Sequence, residues 1–181
     1  MPKNLNNLKT IVRRPQDCSD KMKEEFIRLV AEGGEAEENR VRLSLPYTET
    51  LIFTGVGNHI YGVGALLRPR INFIQHLFQC AGEPQMANPH SVESCWISVS
   101  IRHRGKGVWR HNNAAKEEFL GNRPYHSLRR VDNKNVSDPA KEKIYIHVGK
   151  DFYSPISKDK LRLIAANHDP IFNPKKTFVY M

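Results

Sequence analysis

Between Glu93 and Gly121 the chain passes from a β-forming stretch through a basic glycine turn into a helix-forming stretch, and that order fixes the centre of any fold it can adopt. Glu93-Ser-Cys-Trp-Ile-Ser-Val-Ser-Ile101 is rich in strand formers, and simple alternation puts Cys95, Ile97 and Val99 on one face. Arg102-His103-Arg104-Gly105-Lys106-Gly107 follows at once, and Val108 to Leu120 reads as a helix closed by Gly121. Glycines at a strand-to-helix turn admit a ligand that a Cβ would push away. The first helical turn adds N–H groups without intrahelical partners and the positive end of the helix dipole. Such a turn suits a phosphate or pyrophosphate, with Arg104 and Lys106 supplying charge. An ordinary glycine turn with solvated basic residues accounts for the same pattern equally well. The spacing is neither the G-x-x-x-x-G-K-[ST] loop nor the G-x-G-x-x-G fingerprint.

The remaining segments predict a mixed α+β order around this unit. Leu8 to Arg14 is a short strand closed by Pro15, and Ser19 or Asp20 caps a helix to about Glu32, stopped by Gly33-Gly34. A weakly patterned helix runs from Glu35 towards Leu45, where Pro46 ends it. Leu51 to Val56 and Ile60 to Leu67 form a hairpin across Gly57-Asn58-His59, and Gly62 and Gly64 inside it mark a bulge or close approach by another backbone. Ile71 to Ala81 is an amphipathic helix, Glu83 to His90 a loop, and Tyr125 to Val131 a strand. Asp138-Pro139 and Gly149 bracket a helix carrying Ala140, Ile144 and Val148. Leu161 to Ala166 and Thr177 to Tyr180 are the last strand pair.

Composition narrows the class. With 181 residues the chain can bury a core without disulfides or metal, and its polar start, Met1 to Leu8, lacks the apolar run of a secretory signal. Cys18, Cys80 and Cys95 are an odd set without C-x-x-C spacing, and the eight histidines show no metal-ligand spacing. These features lead us to expect a cytoplasmic domain with no metal and no membrane span. The net charge of +9 favours an anionic partner or serves solubility alone.

Val99-Ser-Ile-Arg-His-Arg-Gly-Lys-Gly-Val108 resembles motif A of the GNAT N-acyltransferase superfamily, a strand ending in Val-x-Pro-x-x followed by [Arg/Gln]-Gly-x-Gly-[Ile/Val/Leu]-[Gly/Ala]. Ile101 stands in for the proline and Trp109 for the small residue. Gly62-Val-Gly-Ala-Leu66 matches the family's glycine-containing third strand and Val131-Asp-Asn133 the end of its fifth. Tyr145-Ile-His-Val-Gly149 is similar to the Tyr-x-x-x-Gly-Phe ending of its fourth helix. The resemblance spans roughly residues 8 to 180. It implies a single GNAT-like α+β domain over 1–181, with 1–8 as an unstructured tail. Its mixed sheet of six to seven strands has a splayed central pair and helices on both faces. It further implies acetyl-CoA as acyl donor, with the pantetheine on the amides of Ile97, Ser98 and Val99. The pyrophosphate would rest on Arg104, Gly105, Lys106, Gly107 and Val108, with Trp109 and Asn133 completing the cofactor-binding set.

By the same resemblance Glu93, six residues before Val99, is the base that deprotonates an acceptor amine, and Tyr145 the acid that reprotonates the CoA thiolate. An exposed strand-edge glutamate and a half-buried helix tyrosine are the plain structural readings of the same residues. No Cys or Ser has an evident activating partner, which favours direct transfer over an acyl-enzyme. The expected function is an acetyl-CoA-dependent N-acetyltransferase whose acceptor is a nucleic acid, nucleotide, acidic protein or small amine. The alternative is a catalytically inactive GNAT-like basic protein that binds nucleic acid. The sequence leaves the oligomeric state open, a homodimer included.

Overall fold

A computed structural model of the chain describes residues 5–34, 36–132, 145–154 and 157–168. Among them, the strands are β1 (Lys9–Arg13), β2 (Thr48–Val56), β3 (His59–Leu67), β4 (Val92–Val99), β5 (Tyr125–Arg130), β6 (Ile146–His147), β7 (Phe152–Tyr153) and β8 (Lys160–Ala166). The helices are α1 (Asp20–Gly33), α2 (Glu38–Ser44), α3 (Ile71–Cys80) and α4 (Val108–Leu120). The sheet order is β1-β2-β3-β4-β5-β8-β6, with β7 also on β8, so the expected GNAT-like mixed sheet is present with eight strands rather than six or seven. The chain divides into two compact units, Met1–Leu67 with Ser94–Gly121, and Arg68–Glu93 with Asn122–Met181.

In the first unit, the β2–β3 hairpin turns across Gly57 and Asn58, with Gly57 (φ 59°) in the left-handed conformation that tight hairpins favour. Alternation sorts the two strands cleanly. Leu51, Phe53, Val63 and Ala65 face α1 and close a core with its Phe26, Ile27, Leu29 and Val30. Ser19 caps α1 by accepting from the Met22 N–H, and Gly34 (φ 71°) ends it in the left-handed conformation. On the opposite face of β3, Gly62 and Gly64 admit α4: a Cβ at Gly62 would lie 2.5 Å from Val108 Cγ1, and one at Gly64 2.9 Å from Asn112 Oδ1. The close approach is made by side chains of α4, not by another backbone as the sequence led us to expect. Val108, Asn112, Lys116 and Leu120, spaced four apart, form the buried stripe of that helix.

Strand β4 departs from simple alternation. Trp96 has φ 51°, a conformation costly for a bulky side chain. Cys95 and Trp96 both pack against the α1 core, and the Ser98 hydroxyl donates to the Leu29 carbonyl at 2.7 Å on that same side. Ile97 and Val99 lie on the glycine face of β3. Cys95 thus does not share a face with Ile97 and Val99, because the irregularity at Trp96 shifts the alternation by one residue. The strand also ends two residues early, since Ile101–His103 is a 3-10 turn.

In the second unit, α3 lies on β8, and Ile74, Leu77, Phe78, Ala81, Val148, Leu163 and Ala165 close the core. Strand β5 pairs antiparallel with β8 from Tyr125↔Ala166 to Arg130↔Leu161, and parallel with the start of β4 at Val92↔Tyr125 and Glu93↔His126. Three expectations need correction. The helix bracketed by Asp138 and Gly149 does not reach Gly149: Ile146 and His147 are strand, paired with Ala165 and Ile164, and the Val148 N–H donates to the Leu163 carbonyl at 3.0 Å. Cross-strand pairing on the β8 edge overrides the local helical pattern there. The partner of Leu161–Ala166 is β5 on one edge and β6 with β7 on the other, while Thr177–Tyr180 lies outside the described residues, as does 138–144. The tail 1–8 includes a 3-10 turn at Leu5–Asn7.

Gly149 (φ 58°) and Gly57 (φ 59°) offer a matched test of this packing. A Cβ at Gly149 would stand 2.0 Å from the Ala81 carbonyl oxygen, whereas one at Gly57 meets nothing within 4 Å. Gly57→Ala should cost about 1 kcal/mol through conformation alone, and Gly149→Ala about 3 kcal/mol or more through added overlap with backbone. Urea midpoints at unchanged slope measure both.

Candidate functional site

The turn between β4 and α4 is built on two left-handed glycines, Gly105 (φ 74°) and Gly107 (φ 84°), and a Cβ at either would meet nothing within 4 Å. Gly107 is the N-cap of α4, and no side chain caps the helix. The cap carbonyl accepts from the His111 N–H at 3.2 Å. The amides of Val108, Trp109 and Arg110 thus belong to the helical turn that has no intrahelical acceptors. The Val108 side chain is buried against Gly62, which anchors the first residue of the helix and fixes where those amides point. Helix dipole, open space and exposed Arg104 and Lys106 make this turn suited to a phosphate group.

The loop entering the turn is clamped from α1 and β3. Glu32 accepts from the Ile101 N–H at 2.8 Å while paired with Arg28, and the Ser100 N–H donates to the Tyr61 carbonyl at 2.8 Å. The Ile101 amide is the main reason the Glu32 carboxyl is held below its ordinary range, against a smaller opposing effect of burial. His103 stacks on Tyr61 at 4.0 Å between ring centroids, and Tyr61 stacks in turn with His59. Burial, then the nearby Lys106 charge, lowers the affinity of His103 for a proton. Its Nδ1 has no partner among the described residues. Arg104 Nε donates to the Val99 carbonyl at 3.3 Å, so part of its guanidinium is used to close the loop.

The expected site residues therefore separate into groups. Ile97, Ser98, Val99, Arg104, Gly105, Lys106, Gly107, Val108 and Trp109 belong to the first unit, contiguous with the glycine turn, and Trp109 is half-buried on the first turn of α4. Glu93 lies in the second unit, half-buried and in register with His126. Tyr145 is also in the second unit but not on a helix. Its buried ring meets Tyr125 edge-on at 5.7 Å, and the Arg129 guanidinium lies 5.3 Å from its centroid. Asn133 lies outside the described residues. Sequence reasoning missed the Glu32 clamp, the Trp96 irregularity and the stacking of His103, because each depends on residues distant in sequence or on a backbone angle.

Glu32 generates a pH prediction. A carboxyl depressed in the fold stabilises it above the unfolded value, ordinarily 4.5, and that contribution is lost as pH falls through the lower folded value. The stability advantage of the native chain over Glu32→Gln should be full above pH 4.5 and fade below it, as thermal unfolding of both across pH 3 to 7 will read.

No protein-family model matches the sequence, and no curated protein sequence matches it. Solved structures do. An acyl-CoA N-acyltransferase from Pseudomonas aeruginosa is similar at 12% identity and a TM-score of 0.61, over 88% of this chain and 99% of that one. A GNAT-family acetyltransferase from Streptococcus agalactiae is similar at 11% identity and 0.62, over 87% and 94%. The ribosomal-protein-S18-alanine N-acetyltransferase from Escherichia coli is similar at 7% identity and 0.61, over 87% and 93%. At these identities the likeness is one of backbone architecture, and on it, together with the sheet order and the β4–turn–α4 unit, the chain has the fold of the GNAT N-acetyltransferases.

Proposed function

We propose that the protein is an acetyl-CoA-dependent N-acetyltransferase. The observation that carries this reading is the uncapped N-terminus of α4 behind two left-handed glycines with open space before them, placed within a GNAT fold. The CoA pyrophosphate accepts from the amides at Gly105 to Trp109, with Lys106 and the remaining Arg104 donors adding charge. The pantetheine arm runs along the edge of β4 at Ile97 to Val99, beyond the two residue pairs that join β4 to β5. The left-handed φ of Trp96 interrupts the regular strand conformation just before those amides, which supports this reading.

The transfer is direct. The acceptor amine gives its proton to Glu93 and attacks the thioester carbonyl carbon; the C–N bond forms, the C–S bond breaks, and the leaving thiolate takes a proton from Tyr145. The chain's excess positive charge favours an anionic acceptor, nucleic acid or acidic protein, over a neutral one.

Gly107→Glu is the test. A Cβ placed there meets nothing within 4 Å, the left-handed φ strains any L residue, and the carboxylate carries negative charge into the anion's seat. Saturable acetyl-CoA binding by isothermal titration should be lost in Gly107→Glu, and Lys106→Ala should weaken it by about 3- to 10-fold, on the order of one solvent-exposed hydrogen bond. A native chain that gives no saturable heat with acetyl-CoA, yet binds nucleic acid with steep salt dependence, would replace this reading with that of a non-catalytic binding protein.

A further inference from the structure

Ser91, His126 and His168 form a hydrogen-bonded chain inside the second unit. Ser91 Oγ lies 2.7 Å from His126 Nδ1 and 2.9 Å from His168 Nε2, and His168 Nδ1 lies 3.3 Å from the Met86 carbonyl oxygen. Ser91 and His126 are buried, His126 completely, while His168 is half-buried. Phe78 of α3 meets the His126 ring edge-on at 6.0 Å and stacks on His168 at 5.4 Å. The register partners of His126 are Glu93 on β4 and Ala165 on β8; β4 also carries Cys95, β8 carries Lys160 and Arg162, the latter bonded to Asp151, and His168 follows the end of β8.

The carbonyl fixes the direction of every bond in this chain. A carbonyl only accepts, so His168 Nδ1 carries its hydrogen. Burial lowers the affinity of His168 for a second proton, against a smaller opposing effect of the Met86 carbonyl, and leaves Nε2 bare in the neutral ring. Ser91 therefore donates its one hydrogen to His168 Nε2. Ser91 Oγ then accepts from His126 Nδ1, which leaves His126 Nε2 as an unprotonated lone pair. That atom is buried and has no partner among the described residues. Burial, then the proximity of His168, pushes His126 down to about 3, so the charged ring is not stable where it sits.

We propose that this chain is a proton relay serving the transfer reaction, in which His126 Nε2 receives the acceptor's proton from Glu93 and the charge comes to rest on His168. Ser91 immediately precedes β4 and its Oγ reaches the ring of His126, the register partner of Glu93. The step balances. The carboxyl O–H bond of protonated Glu93 breaks and Nε2–H forms on His126; the His126 Nδ1 proton passes to Ser91 Oγ as the Ser91 proton passes to His168 Nε2. The product is an ionised Glu93, a neutral His126 of the opposite tautomer, and a His168 imidazolium bonded to the Met86 carbonyl. His168, partly exposed, returns the proton to water. The inference rests on the N-acetyltransferase reading and makes Ser91 and His126 positioning and relay residues rather than groups that touch the acyl centre.

Nitrogen-detected NMR of the full chain at neutral pH should show His126 protonated at Nδ1 and bare at Nε2, and Ser91→Ala should release that lock and populate the Nε2–H tautomer. In parallel, thiol release from acetyl-CoA is followed with the fastest amine of a lysine peptide, a polyamine and an aminonucleoside. Ser91→Ala should lower kcat about 100-fold, with acetyl-CoA affinity unchanged, and Ser91→Thr, which keeps the hydroxyl, should restore most of it. A native His126 protonated at Nε2, or a folded Ser91→Ala with unchanged kcat, overturns the relay. Absence of acetyl-CoA binding by the native chain would strike the transferase reading instead, with the tautomers of the native ring still deciding the hydrogen-bond chain.

Discussion

The packing of α4 on β3 through two missing Cβ atoms is the contact on which the candidate site depends. Gly62 and Gly64 let Val108 and Asn112 settle closer to the strand than any side chain would permit. Val108 is the first residue of the helix, so the same contact that buries its methyl groups sets the position of the first-turn amides. A helix whose start is fixed by core packing presents its dipole and its unpartnered donors without reorganisation, and preorganised donors are what make an anion seat tight. The glycines at 105 and 107 complete this arrangement by turning the chain without placing atoms in front of the amides.

Two further features hold the unit in register. The Glu32 carboxylate reaches from the last turn of α1 to the Ile101 amide, so the loop leaving β4 is tied to a core-packed helix rather than left to solvent. The left-handed Trp96 sits in the strand that leads to the same loop, its ring packed edge-on against Phe26 at 6.3 Å. Holding a bulky residue there costs free energy of about 1–3 kcal/mol, offset in part by burial of the indole against the α1 core. What the irregularity achieves is directional, since it turns Ile97 and Val99 to the face that carries α4 and leaves Ser98 to anchor on Leu29.

Much of this was legible in the sequence because the signals were local. Ser19 followed by an amphipathic run and a glycine stop marked α1, and the hairpin at Gly57-Asn58 and the span Val108–Leu120 followed from turn chemistry and period. The GNAT resemblance rested on residues 99–108, and the fold agrees with it. The errors arose where partners are remote. Tyr145-Ile-His-Val carries a helical pattern, yet the free edge of β8 recruits Ile146 and His147 as strand, and no local propensity encodes that. The one-residue shift of faces in β4 depends on a single backbone angle at Trp96. The Ser91–His126–His168 chain joins residues 35 and 77 positions apart, and nothing in their spacing announces it.

The central claim is that the amides from Gly105 to Trp109 form the seat of a diphosphate. Titration of nitrogen-15-labelled protein with CoA, followed by amide proton–nitrogen correlation spectra and compared with titration by inorganic pyrophosphate, reads those amides one by one. The account predicts large saturable downfield shifts at Gly105, Gly107, Val108 and Trp109 with both ligands, and shifts at Ile97 to Val99 with CoA alone. Saturation with the glycine-turn amides unmoved would contradict it.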